Sequence, residues 1–155
     1  MKEIQYLTFY IGDEIFALDV LKIQEIIPYD HITKIPLMQS YVQGVMNIRG
    51  SIVPIISLNN RLDLNLYMDV KKQSIIIISL EYDDEKSDIG IVVSKVDQVF
   101  TLKNNEIEAS PVFGSKIEKK FIKNIAKFND NFISILDIDE ILNLDELSTT
   151  KQEEV

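Results

Sequence analysis

At 155 residues, 46% of them hydrophobic, the chain is long enough for one domain or for two small halves sharing a core, and too apolar for wholesale disorder. A formal charge of −9 repels phosphate backbones and anionic headgroups, and no basic stripe with interleaved aromatics offsets it, which argues against nucleic-acid binding. The absence of cysteine excludes disulfides, thiolate nucleophiles and Cys-based metal sites, while 26 Ile and no Trp predict a core of β-branched aliphatics and hence sheet.

Residues 4–10 alternate, with Ile4, Tyr6, Thr8 and Tyr10 facing one way and Leu7, Phe9 and Ile11 the other. Gly12-Asp13-Glu14 reads as a turn, and residues 15–20 return as the second strand of a hairpin. Residues 21–27 alternate again, with Leu21, Ile23 and Glu25 on one face and Lys22, Gln24 and Ile26 on the other. The segment contains good helix formers, but it is short and ends at Pro28, which favours an extended chain. Residues 28–36 predict a loop with one short strand at 32–35, and residues 41–44 a brief helical turn.

Two strands follow, 45–48 and 52–58, joined through Arg49-Gly50-Ser51. Pro54 lacks a backbone donor and predicts an edge strand or a bulge. Residues 57–64 turn away with a short helix, and residues 67–72 form a polar crossover. Four isoleucines in a row, Ile75 to Ile78, predict for residues 73–80 a strand buried on both faces. Residues 81–87 read as a charged hairpin loop, and 88–94 and 96–102 as further strands. The stretch 103–119, with Pro111 and Gly114, predicts a long irregular surface loop. Residues 120–128 and 132–136 make a last hairpin about Asn129-Asp130-Asn131. Asp137 is the expected N-cap of a helix from 138 to 144, and residues 145–155 form a polar, acidic tail. Roughly ten short strands with regularly spaced turns and little helix predict an all-β sandwich or barrels, and no long repeat is visible.

The sequence assembles no catalytic set. His31 stands alone, and the five glycines at 12, 44, 50, 90 and 114 are isolated, so no phosphate loop occurs. The carboxylates lack the glycine and terminal glutamate of a calcium loop, and so acidic a chain supplies facing acid pairs by chance. Lys116, Lys119, Lys120, Lys123 and Lys127 read as a solvated face. Purely apolar runs are only strand-length and residues 1–5 lack a signal-peptide core, so the expectation is a soluble, cytoplasmic protein with no membrane insertion, no metal and no cofactor. Arginine is rare: 14 Lys stand against Arg49 and Arg61 alone.

Four blocks in order, "YLTFYIGDEIFALDVLKIQEII", "GVMNIRGSIVPIISL", "IGIVVSKVDQVFTL" and "FISILDIDEIL", span nearly the whole chain. Together they resemble the CheW family, the coupling proteins of bacterial chemotaxis, with Asn47 to Pro54 the most specific block. The resemblance implies one CheW-like domain over 1–150, built as two SH3-like five-stranded β-barrel subdomains on a shared core, with short helical turns and a C-terminal helix. It sets the first subdomain at about 14–66 and the second at about 67–140, and leaves open whether the N-terminal strand is shared.

The implied role is a non-catalytic adaptor between the cytoplasmic tip of methyl-accepting chemoreceptors and the regulatory domain of the histidine kinase CheA, recruited to membrane-associated receptor arrays. A coupling protein of a non-flagellar pathway, such as surface motility, shares the same fold and groove. Family positions pair Arg49 with Glu25 at the rim of a receptor-facing groove, where a rigid fork of donors suits a carboxylate better than lysine does. The alternative for Arg49 is an edge arginine that solubilises a hairpin. The groove floor falls to Ile23, Ile27, Val96 and Val99, which read equally as plain core residues. Gly50 suits a left-handed turn, and Gly44 and Gly90 match structural glycines of the family. Two departures stand out: Ser57 where relatives carry Asp, which questions a local cap, and Asn124 where they carry Gly.

Overall fold

The computed structural model describes residues 3–69, 72–109, 117–128 and 131–143. The fold is all-β, as composition predicted. Strand β1 (Glu3–Ile11) and β2 (Glu14–Asp19) form the expected hairpin about Gly12 and Asp13. β3 (Ile23–Pro28), β4 (Val42–Ile48), β5 (Ser51–Ser57), β6 (Ser74–Tyr82) and β7 (Glu85–Val93) follow, then β8 (Lys95–Lys103), β9 (Ile107–Ala109), β10 (Ile122–Phe128) and β11 (Asn131–Leu136). One-turn helices α1 (Leu58–Arg61) and α2 (Ile138–Ile141) close the two halves.

These strands make two sheets, a six-stranded one ordered β8-β1-β2-β11-β10-β9 and a five-stranded one ordered β3-β6-β7-β5-β4. The short β9 aside, the two share one topology. In each, an edge strand pairs antiparallel with a hairpin (β3 with β6–β7, β8 with β1–β2). The second strand of that hairpin runs parallel to the second strand of another (β7 with β5, β2 with β11). Each second hairpin then ends in a capped one-turn helix, with Ser57 Oγ accepting from Asn60 N–H at 3.2 Å and Asp137 Oδ1 from Glu140 N–H at 3.2 Å. The fold therefore contains an internal repeat that the sequence does not display, and serine at 57 keeps the cap that aspartate would supply.

Three apolar clusters explain the isoleucine content. Ile76 and Ile78 enter a large cluster common to both sheets, with Phe9, Ile11, Leu18, Ile56, Ile91 and the helix residues Leu58 and Ile141. Ile75 and Ile77 point the other way, into a smaller cluster with Met46, Val53, Ile55 and Val92. The six-stranded sheet has its own second cluster around Tyr6, Ala17, Phe100 and Ile135. Each sheet thus covers a private core with one face and a shared core with the other. β1 does the same: Leu7, Phe9 and Ile11 enter the shared core, while Tyr6 and Ile4 pack in the private one.

Several local expectations change. Residues 21–27 are not one extended piece: Asp19 accepts from Leu21 N–H at 2.9 Å and turns Val20–Lys22 into a 3-10 turn, so β3 starts only at Ile23. The strand at 32–35 reduces to one bridge, Thr33 to Val45. No helical turn forms at 41–44, since β4 begins at Val42 and carries a bulge between Val42 and Gly44. Pro54 sits on an inner strand, yet the parallel ladder to β7 starts only at Ile55, so no donor is missed there. The charged loop at 81–87 is mostly strand, with a two-residue turn at Asp83 and Asp84, both at positive φ. Both faces of those strand ends are wet, which erases the alternation that would announce them. The loop at 103–119 yields β9, which pairs with β10; residues 110–116, the hairpin turn at 129–130 and the tail at 145–155 lie outside the described residues. β6 and β7 follow the crossover at 67–73, yet they complete the sheet that β3, β4 and β5 begin.

Of Gly44, Gly50 and Gly90, only Gly50 lies in a turn. Gly90 is in mid-strand, where an added Cβ would meet Ile55 Cδ1 at 2.7 Å and Ile75 Cγ2 at 2.8 Å. Gly44 lies at the β4 bulge at φ +146°, with its missing Cβ only 2.1 Å from the backbone oxygen of Thr33. Asn124 occupies the matching position in β10, after a bulge between Ile122 and Asn124. Its φ is not positive, so asparagine stands there without strain.

The second arginine joins the two halves. Arg61 Nε donates to the carbonyl of Ile141 at 2.8 Å, and its guanidinium lies 4.7 Å from the Tyr41 ring and 4.8 Å from the Phe121 ring. A lysine has neither the plane nor the fork to do both. Arg61→Lys is expected to lower stability in urea denaturation by about 1–2 kcal/mol. In the same assay Gly50→Ala costs about 1–2 kcal/mol, the strain of a left-handed alanine in open space, and Gly44→Ala costs clearly more because backbone must move.

Candidate protein-docking site

β3 and β4 are the two edges of the five-stranded sheet. Laid flat, four strand spacings would separate them by roughly 19 Å. Yet Arg49, at the tip of the β4–β5 hairpin, grips Glu25 on β3 with both ends of its guanidinium. Nη1 donates to Oε2 at 3.1 Å and Nη2 donates to Oε1. The fork therefore spans the open side of a sheet curled nearly round its private core.

The local sequence sets this geometry. Arg49 and Gly50 occupy the two turn positions at φ 50° and 85°, the paired left-handed conformation that matches strand twist. Asn47 Oδ1 accepts from Gly50 N–H at 2.9 Å and fastens the turn from inside. On β3 a register shift lies between Ile23 and Glu25, and burial then alternates so that Ile23, Glu25 and Ile27 face inward. The side chain of Glu25 is 27% exposed and that of Arg49 69%. Hydrogen bonding from Arg49 holds the Glu25 carboxyl below its ordinary pKa, and the same contact raises that of Arg49, with Asp88 adding a smaller push.

Beside the ion pair lies an open groove of about 910 Å³. Gln24, next in sequence to Glu25, and Ser51, two residues after Arg49, are among its walls, as are Ile23, Val53, Pro54 and Ile89. Leu21 and Ile52 also line it and stand 90% and 65% exposed. Sequence reading missed both. The signals were present: a capping Asp19 turns Leu21 off the strand, and Ile52 shares the outward face of Pro54 while Val53 and Ile55 point in.

The residues nominated from the sequence divide. Glu25 and Arg49 come together as expected. Ile23 is half-buried against the shared core and also lines the groove, whereas Ile27 packs on the private core of its sheet. Val96 is half-buried against the shared core and Val99 is 54% exposed, both on β8, the edge of the other sheet, and neither is a wall of this groove. Among the described residues no group of three or more His, Cys, Asp or Glu side chains is arranged to hold a metal, and no helix is long and apolar enough to cross a membrane.

An open groove with two protruding aliphatic side chains and a charged rim has the make-up of a surface for another protein rather than a small-molecule cleft. Comparison with known proteins gives this class a family. The CheW-like domain matches residues 5–146, and the chain belongs to the CheW family. It is 29% identical to the chemotaxis protein CheW of Klebsiella aerogenes over 144 residues, covering 93% of this chain and 84% of that one. Identity to the CheW of Thermotoga maritima is 32% over 142 residues, 92% of this chain and 89% of the relative. The crystal structure of the scaffolding protein TtCheW from Thermoanaerobacter tengcongensis superposes with a TM-score of 0.81 at 28% identity, covering 94% of this chain and 96% of that one.

Because the Glu25 carboxyl is held low in the folded state, the pair contributes fully above the unfolded pKa and is lost as pH falls through the depressed folded value. Carboxyl 13C titration is expected to place Glu25 below the ordinary glutamate value, and Arg49→Gln to raise it.

Proposed function

We propose that this chain is a non-catalytic chemotaxis adaptor that couples the cytoplasmic tip of methyl-accepting chemoreceptors to the histidine kinase CheA. Its family membership supports the coupling role. The observation that carries the site is the Glu25–Arg49 fork set beside a groove with exposed Leu21 and Ile52. A receptor tip is a helical hairpin, and an amphipathic helix laid in such a groove would bury those aliphatic side chains against its apolar face. The fork keeps the rim in one shape, which lowers the ordering cost that docking otherwise carries. Ile23 belongs to the floor, while Val96 and Val99 belong to a separate contact along β8. Recruitment to membrane-associated arrays follows from the receptor contact.

The test is binding to a receptor signalling-tip fragment and to the CheA regulatory domain, measured by calorimetry. Arg49→Glu is expected to weaken binding to at least one of them about tenfold or more while thermal unfolding stays close to wild type. The charge-swapped double variant Arg49→Glu with Glu25→Arg should recover part of that loss. Unaltered binding by the single variant to both partners would remove the site, and failure of the wild-type chain to bind either would remove the function.

A further inference from the structure

The six-stranded sheet holds a second, partly enclosed cavity of about 270 Å³. It lies between β1, the end of β2, β9, β10 and the start of α2. Ile4, Ile107 and Ile135 form apolar walls. Tyr6 lines it as well, only 5% exposed, with its ring 6.2 Å from that of Phe100. The Tyr6 hydroxyl has no hydrogen-bond partner among the described residues. The ring is covered by protein, while the hydroxyl, without a protein partner, opens on the cavity and is available to a ligand there.

The charges around this hydroxyl decide what the ligand is. Asp19 uses one carboxylate oxygen to cap Leu21 N–H, and Asp137 uses one to cap Glu140 N–H. Each retains a second oxygen on a side chain that lines the cavity. Lys22 is taken by Asp139 at 3.1 Å. Among the described lining residues this leaves Asp19 and Asp137 against the exposed Lys123, an excess of negative charge. Burial and the charge of Asp19 push the Tyr6 phenol up, so it stays protonated and neutral at ordinary pH.

We propose that this cavity is a binding site for a short organic cation, an ammonium or guanidinium group on an apolar stem. The stem lies against Ile4, Ile107 and Ile135. The cationic head donates to the free oxygens of Asp19 and Asp137 and to the Tyr6 hydroxyl oxygen. An anion of equal size meets two carboxylates and is rejected. The same chemistry is carried by a free alkylamine or by a lysine or arginine side chain of a partner protein.

The test titrates the full chain, labelled with 15N, with n-pentylammonium, pentanoate and Nα-acetyl-lysine methylamide. The expected result is saturable shifts of the Tyr6, Asp19, Asp137 and Ile135 amides with pentylammonium and none with pentanoate. Asp19→Asn retains an oxygen for the Leu21 cap and should weaken binding about tenfold, and Tyr6→Phe about threefold, with dispersed spectra showing both variants folded. Binding by the lysine derivative as well assigns the site to a partner's basic side chain, and binding by pentylammonium alone assigns it to a free amine. Absence of saturable shifts, equal response to pentanoate, or full affinity in Asp19→Asn overturns the proposal.

Discussion

Ile75, Ile76, Ile77 and Ile78 must be covered from both sides, and the architecture follows from that requirement. A strand that is apolar on both faces needs a layer above and a layer below. The five-stranded sheet supplies one by curling over its own face, which brings β3 toward β4. The six-stranded sheet supplies the other by packing against the opposite face. Because the second sheet repeats the topology of the first, it too has an inner and an outer core, and β1, with Tyr6 on one side and Phe9 on the other, is its counterpart of β6.

The two arginines work at the places this arrangement leaves open. Arg49 spans the unpaired side of the curled sheet, and Arg61 ties the helix that ends one half to the helix that ends the other. Each makes a contact set that depends on a planar group with several donors in fixed directions. The 14 lysines, by contrast, serve a chain that otherwise needs only positive charge on a wet surface. The rim of the groove is in this sense a by-product of sheet closure, since one ion pair finishes the curl and shapes the surface beside it.

Much of the fold was legible. The hairpins at 4–20 and 45–58, the doubly buried strand and the cap at Asp137 all announce themselves through alternation, turn residues and a well-placed aspartate. What stayed hidden has physical causes. The strand ends around Asp83 carry polar residues on both faces, so they look like loop. β9 is three residues long and pairs, among the described residues, with β10 alone. The repeat is invisible because pairing depends on backbone and on pattern, and many side-chain sets satisfy both. At the site, the ion pair was readable because a lone arginine beside glycine in an apolar run is a conspicuous choice. Leu21 was not, since its exposure depends on a one-turn cap that interrupts what looks like a continuous strand.

Sheet membership also governs the order in which the chain can be built. Residues 23–93 contain every strand of the five-stranded sheet, while β1 waits for β8, whose residue Lys103 pairs with Glu3. During synthesis the five-stranded sheet can close before its neighbour has all its strands. Until β8 and the hairpin of β10 and β11 emerge from the ribosome, the apolar side of β1 and β2 has only part of its cover. The six-stranded sheet thus sets the pace of maturation, because its ladders join segments far apart in the chain. An interruption of translation before residue 95 would release a chain whose first hairpin carries an unfilled edge.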